Sequence, residues 1–492
     1  MFDLALILLL AATPAWAGAE SDPPSASEAA ELALADHGED EHGDQAHTGE
    51  EHRGKHSSRL SDEVIPLLLE GFPQRPKPIL ELGEPYLGTG TLDPGFQIPT
   101  GAVWQPAALL FGTFRTAIQT FEPDGPGDSR VTEWANRLDL FLNLQLSGSE
   151  RLVVGIRALD EGGRFTSYFF EHPDPALNGE FRDQFNAEIE TFFFEGDFGE
   201  IFPNLDRSDF KSFDVGFSVG RQSLFFQEGI LINDTLDGIG LTRNTLQPKN
   251  TSNFRLTFFY GWDNVDAGGL ERSANLFALL TSTDFRLSTV DFDVVYVDTD
   301  DDSGDLVSAG LSAVQRLGKT NSSFRILGSF ATSEETAVST DGVLLFSELS
   351  WTPHYTEDHF YVNAFWAIDE YSSAARGPAT GGPLGRAGIN FAAVGLGSFG
   401  APLSNRARNV AGGAIGYQKF MSGNRKQVII EAASRIGTEG AVGDSYALTT
   451  RFQAALRQHY VVVVDGFVGS RDLVAGGNAT LYGGRLELVV KF

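Results

Sequence analysis

The sequence predicts an all-β chain, a transmembrane antiparallel up-and-down β-barrel of about eighteen strands. Three observations predict it. The stretch Tyr482–Phe492 alternates strictly: Tyr482, Leu486, Leu488, Val490 and Phe492 on one parity, Arg485, Glu487 and Lys491 on the other. Such alternation marks a strand with one face in an apolar medium and one in water. From residue 108 onward the chain repeats this pattern between turn-forming residues, and the connections alternate short and long. No run after Ala12 is long and apolar enough for a spanning helix, so a membrane-spanning form of this chain must be a closed barrel.

The N-terminus is organised differently. Leu4–Ala12 is a short apolar run followed by Ala15-Trp16-Ala17, so residues 1–17 read as a secretory signal. Met1-Phe2-Asp3 carries no Lys or Arg, which is atypical of a signal or places the true start upstream. Residues 18–60 are polar, acidic and low in complexity, and are expected to be disordered. In this stretch His37, His42, His47, His52 and His56 recur among carboxylates. Neutral imidazoles on a flexible chain suit Zn²⁺ or another borderline divalent cation, and the spacing matches no closed tetrahedral site. A metal-binding tract and an inert spacer both fit. Residues 61–107 are rich in Pro and Gly, and read as an extended lead-in or a segment folded into the lumen.

The barrel proper is expected over 108–492. Its strands are read at 108–120, 133–146, 151–160, 186–198, 211–223, 235–246, 252–262, 274–282, 285–298 and 306–317. They continue at 322–331, 343–352, 359–369, 410–421, 427–437, 446–457, 459–469 and 480–492. With the last strand ending in the periplasm, the connections assigned there are mostly brief, as at 147–150 and 422–426. Those assigned outside are longer, as at 161–185 and 370–409; the long connection 199–210 is the exception. Trp134, Trp262, Trp351, Tyr460 and Tyr482 lie near strand ends on outward parities, where aromatic girdles form.

If the apolar parity faces lipid, the other parity faces the pore. Arg115, Arg137, Arg151, Arg157, Arg435, Arg451 and Arg485 then form a basic wall around the closure, with Asp139 among them. Glu188, Glu190, Asp214, Asp291 and Asp293 face it across the lumen. Two readings stand: a transverse field across a watery constriction, or charges paired locally along the wall. The Gly-rich connection 370–409, with Arg376, Arg386, Arg406 and Arg408, is either a mobile surface loop or one folded into the channel.

Composition excludes several classes. A formal net charge of −30 is the opposite of a nucleic-acid binder, and Cys 0 rules out a lipoprotein anchor. Acidic outer loops suit divalent bridging to lipopolysaccharide. The Asp298–Asp305 run places carboxylates at spacings that suggest Ca²⁺, but Ala309 stands where an EF-hand needs Glu, leaving at most a loose site. No Ser pairs convincingly with His354, His359 or His459, so a barrel enzyme is not expected. The chain is also too short for a plugged receptor of twenty-two strands.

Two resemblances add to this. The final strand ending on Phe492 resembles the C-terminal strands of bacterial outer-membrane barrels, which implies recognition by the barrel assembly machinery and a Gram-negative outer membrane. Gly220-Arg221-Gln222, followed by Asp237-Gly238, resembles the alginate-export porin family over about residues 108–492. That resemblance implies an eighteen-stranded monomeric pore and passive transport of small solutes; a mixed-charge lumen in an acidic chain does not fit alginate itself. The expected function is therefore an outer-membrane channel for small hydrophilic or charged solutes. The alternative is metal uptake or scavenging through the His-rich segment.

Overall fold

The computed structural model describes residues 75–83, 94–122, 130–205, 213–268, 270, 272–439, 443–473 and 477–492. The His-rich segment and the signal-like N-terminus therefore lie outside the described residues. The barrel strands are β1 (Ala107–Glu122), β2 (Val131–Gln145), β3 (Arg151–Arg157), β4 (Ile189–Asp197), β5 (Gly216–Phe226) and β6 (Ile232–Leu246). Next come β7 (Thr251–Asp263), β8 (Ala274–Phe285), β9 (Ser288–Thr299), β10 (Leu306–Leu317), β11 (Thr320–Ala331) and β12 (Gly342–Trp351). The circuit ends with β13 (His359–Tyr371), β14 (Ala407–Met421), β15 (Lys426–Gly437), β16 (Ser445–Leu456), β17 (Tyr460–Asp472) and β18 (Asn478–Lys491).

Each strand pairs antiparallel with its sequence neighbour, and β18 closes on β1 from Tyr482↔Glu122 to Lys491↔Thr113. The last residue completes the seam: Gly112 N donates to Phe492 O at 2.7 Å, and Phe492 N donates back to Gly112 O at 3.1 Å. Closure leaves no free edge along this seam, which is what a barrel needs if its wall is to sit in hydrocarbon. All eighteen expected strands are present, with ends shifted by a few residues; β5 starts at Gly216 rather than 211.

Below the seam, Leu80–Leu82 pairs with Leu110–Ala108 of β1, where β18 no longer reaches. Residues 80–82 thus make a short addition to the wall, whereas Phe96–Gln97 pairs with Val103–Trp104 in a separate two-stranded sheet. Two features were not anticipated. The connection after β3 folds into a hairpin whose strand Arg164–Glu171 lies along the upper half of β2. The long connection after β4 opens with a helical turn, α1 (Phe198–Ile201), whose first amides are capped by the Asp197 carboxylate.

The exterior follows the alternation, with Ile118, Trp134, Leu142, Phe277, Ile326, Trp366, Leu448, Val464 and Leu486 exposed. The interior does not follow it throughout. Leu236, Leu276, Val295, Val297, Leu306, Leu327 and Leu344 are inward-facing yet fully buried. They pack with Ala374, Ala375, Leu384, Ala387, Phe391 and Leu403 of the connection between β13 and β14. That half of the barrel is filled with apolar side chains rather than water. Leu344→Ala should therefore cost about 2–5 kcal/mol, as a buried core truncation does. Denaturant unfolding in detergent measures this, and an unchanged midpoint would mean that the site is solvated.

Candidate functional site: a charged passage beneath folded-in loops

The β13–β14 connection folds inward and is held from several sides of the barrel. Glu431 on β15 accepts from Ile389 N at 2.9 Å and from Asn390 N and Nδ2, both at 2.8 Å. Its other oxygen also takes the Tyr361 hydroxyl, and Thr449 donates to Asn390 Oδ1. Gly388 is required there, because a Cβ would lie 2.5 Å from both carboxylate oxygens. Across the closure Glu133 of β2 accepts from Ser398 N and from Gln119. Both carboxylates are fully buried and receive the amides that folding inward took out of water.

The five-residue connection after β5 also turns inward. Glu228 meets Arg386 at 3.1 Å and Arg325 at 3.8 Å, and Glu348 bridges the same two arginines. Arg376 donates to the carbonyls of Gly229 and Ile230, and burial pulls its pKa down to about 10, leaving it charged at neutral pH. Arg408 pairs with Glu370 at 3.4 Å, and Arg406 offers its carbonyl to Arg435. Of the loop arginines, Arg376 and Arg386 hold the inward-folded segments in place, while Arg408 stays exposed.

Beneath these loops lies a cavity of about 650 Å³, bounded by β1–β8, β16–β18 and Ala392–Val394. Its charged wall is a chain of ion pairs fixed by strand register. Arg451 stands directly opposite Asp465, and Asp465 opposite Arg485; Arg451 Nε reaches Asp465 at 2.7 Å, and Arg485 Nε reaches it at 3.0 Å. Arg485 then meets Glu487 at 2.8 Å, and Glu487 meets Arg115 at 2.6 Å across the closure. Arg115 and Arg137 share the Gly395 carbonyl, at 3.2 and 3.0 Å. The chain continues through Arg137–Asp139 at 2.8 Å, Asp139–Arg157 at 3.1 Å and Arg157–Glu190 at 2.6 Å. Arg151 pairs with Glu195.

The sequence-predicted residues divide accordingly. Arg115, Arg137, Asp139, Arg151, Arg157, Glu190, Arg451 and Arg485 line this one cavity. Arg435 does not; it is buried against the loop end. The facing acidic wall is not formed. Glu190 belongs to the basic wall as a partner of Arg157, and Glu188 is exposed in the approach to β4. Asp214 lies before β5, accepting from Thr245, while Asp291 takes the Ser312 hydroxyl. Asp293 is covered by Gln227, which donates to it at 2.8 Å. Local pairing, not a transverse field, describes these charges.

Sequence reading left Asp465 and Arg255 unnamed, and it put Glu487 and Lys491 on the water-facing parity without counting them among the pore residues. Their parity was available, but which charges meet depends on register. Arg255 and Lys491 line the cavity, and among the described residues neither forms an ion pair or side-chain hydrogen bond. Eight cationic side chains and four carboxylates line the cavity, so a chain of net charge −30 encloses a positive cavity. The motif residues Gly220, Arg221, Gln222, Asp237 and Gly238 sit together where β5 crosses β6; Arg221 stands opposite Asp237 and binds it at 2.8 Å. Among the described residues no three His or acidic side chains converge as a metal site. In the acidic run, Asp301 and Asp305 accept from the Ser303 and Thr299 amides.

Replacing Glu431 by Ala leaves the Ile389 and Asn390 amides without their acceptor. Loss of charge-assisted bonds should lower the local opening free energy by about 2–3 kcal/mol, seen as faster amide exchange at both residues with the barrel intact. Unchanged exchange would mean that the loop is held elsewhere.

No protein-family model and no curated protein matches the chain. Solved structures do. A BenF-like porin from Pseudomonas fluorescens Pf-5 superposes with TM-score 0.54 at 9% identity, covering 78% of this chain and 98% of that one. OccAB3 of Acinetobacter baumannii gives 0.51 at 11%, covering 78% and 99%. OpdK of Pseudomonas aeruginosa, solved with vanillate, gives 0.50 at 11%, covering 78% and 98%. At these identities the likeness is one of fold: the chain shares the closed eighteen-strand barrel of these solved structures.

Proposed function

We propose that the chain is a channel of a Gram-negative outer membrane for passive movement of small hydrophilic or charged solutes, and that it favours small organic anions. The observation that carries the preference is the cavity wall, positive in excess, with Arg255 and Lys491 forming no ion pair among the described residues. Apolar residues such as Phe111, Phe141, Phe193 and Phe259 share that wall, which suits an anion with an apolar or aromatic body. OpdK, a barrel of the same fold, was solved with vanillate, an aromatic carboxylate. The membrane assignment rests on the closed wall and its apolar exterior, with the short turns periplasmic and the long loops outside. Monomeric function, lipopolysaccharide contact and recognition of the last strand by the assembly machinery are part of the same reading. The alginate-export resemblance supplies no cargo: the similar solved structures are other porins, and their likeness does not extend to substrate.

In proteoliposome swelling, sodium benzoate should enter faster than arginine hydrochloride. The pair R255A/K491A should slow benzoate by about tenfold, the scale of electrostatic focusing in a charged cleft. Equal rates for both solutes in the unmodified protein would contradict the reading. Leu486→Arg, on the exposed outer face, should destabilise the barrel in lipid by about 2–4 kcal/mol; refolding titrations test it, and no loss would place that face outside hydrocarbon.

A second reading rests on the concentration of His37, His42, His47, His52 and His56 among carboxylates. In it the segment gathers Zn²⁺ or a similar cation beside the channel. Zn²⁺ titration of the full chain and of a form lacking residues 18–60 decides it: binding should disappear with the segment.

A further inference from the structure

The Gly220-Arg221-Gln222 motif marks the place where the barrel wall parts. Gly220 has φ +119°, and a Cβ there would lie 2.2 Å from the Phe192 carbonyl. The strand leaves its neighbour at this point: pairing of β4 with β5 ends at Phe192↔Arg221. β4 begins only at Ile189, β3 ends at Arg157, and the intervening chain lays its hairpin on β2 instead. Among the described residues the edge Gln222–Phe226 therefore has no strand partner on the β4 side, over about 16 Å of strand.

The cavity reaches this gap. It is lined by Gln222, Leu224 and Phe226, on the inward parity, and also by Ser223, Phe225 and Thr235, on the outward one. A closed wall offers a cavity one parity only. An unpaired strand edge is tolerated at membrane depth only where it is buried in protein or borders water, and here it borders the cavity. The outer lip carries polar groups on a face that is otherwise apolar. Arg221 binds Asp237 and donates to Ile189 O at 3.1 Å, and the Ser223 and Thr235 hydroxyls lie 3.0 Å apart. Ile189 and Phe192 are exposed beside them.

We propose that the gap between β4 and β5 is a lateral portal, through which an amphipathic organic anion passes between the lumen and the membrane. Its charged end moves from Arg157 to Arg221, and its apolar body slides past Ile189, Phe192 and Phe225. The proposal rests on the anion-channel reading and adds a second exit to it.

The chain has no cysteine, so Ser223→Cys takes a single bimane label. In vesicles of brominated phosphatidylcholine the label should be quenched by lipid; quenching by aqueous iodide alone would overturn the proposal. Transport is read with two permanently charged probes, methanesulfonate and hexanesulfonate, released from loaded vesicles. Ile189→Trp, on the outer lip and not among the cavity-lining residues, its folding checked by heat-modifiable mobility, should slow hexanesulfonate about tenfold and leave methanesulfonate unchanged. An equal effect on both, or on neither, would overturn the portal while the channel stands. Failure of unmodified protein to pass either probe would overturn the channel reading and the portal with it.

Discussion

Backbone taken into a barrel lumen must find hydrogen-bond partners for the groups it removes from water, and the rest of this structure depends on how that is met. Two buried carboxylates, Glu133 on β2 and Glu431 on β15, receive the amides of the inward-folded connection. Arg115 serves its carbonyl side by binding Val394 and Gly395, and its own Arg376 binds the Gly229 and Ile230 carbonyls of the inward connection after β5. With those groups satisfied, Leu384, Phe391 and Leu403 can pack against the inner faces of β6–β12. The lumen is thereby divided into a filled half and an eccentric cavity.

That division also decides where charge resides. Arginines on neighbouring strands repel unless carboxylates are placed between them, and register places Asp465, Glu487 and Asp139 there. Buried pairs of this kind add little net stability once desolvation is counted, but loss of one partner leaves a buried charge uncompensated. What they leave over is a positive surplus, carried by side chains such as Arg255 and Lys491 that have no partner in the wall. The formal charge of the whole chain says nothing about this, because most of the acidic excess lies elsewhere.

Strand positions were legible in the sequence because a wall with unlike faces writes its own phase: Tyr482–Phe492 and Trp134–Leu146 announce both the strand and its orientation. The phase fails where both faces are apolar. Val294–Val297 on β9 reads as a strand, but nothing local says that Val295 and Val297 meet a folded-in loop. The connection 370–409 was equally opaque, since Gly-rich chain suits a surface loop as well as a pinned one; only Glu431 and Glu133, distant in sequence, distinguish them. The supposed acidic wall failed for a related reason. Parity says that Glu190 and Asp293 point inward, whereas pairing with Arg157 and cover by Gln227 are tertiary facts.

The central claim is that an acidic chain encloses a positive, continuous passage beside its inward loops. Single-channel recording in planar bilayers under a tenfold KCl gradient tests it most directly. The account predicts stable conductance with a reversal potential displaced toward chloride. A reversal displaced toward potassium, or a folded barrel that never conducts, would contradict it.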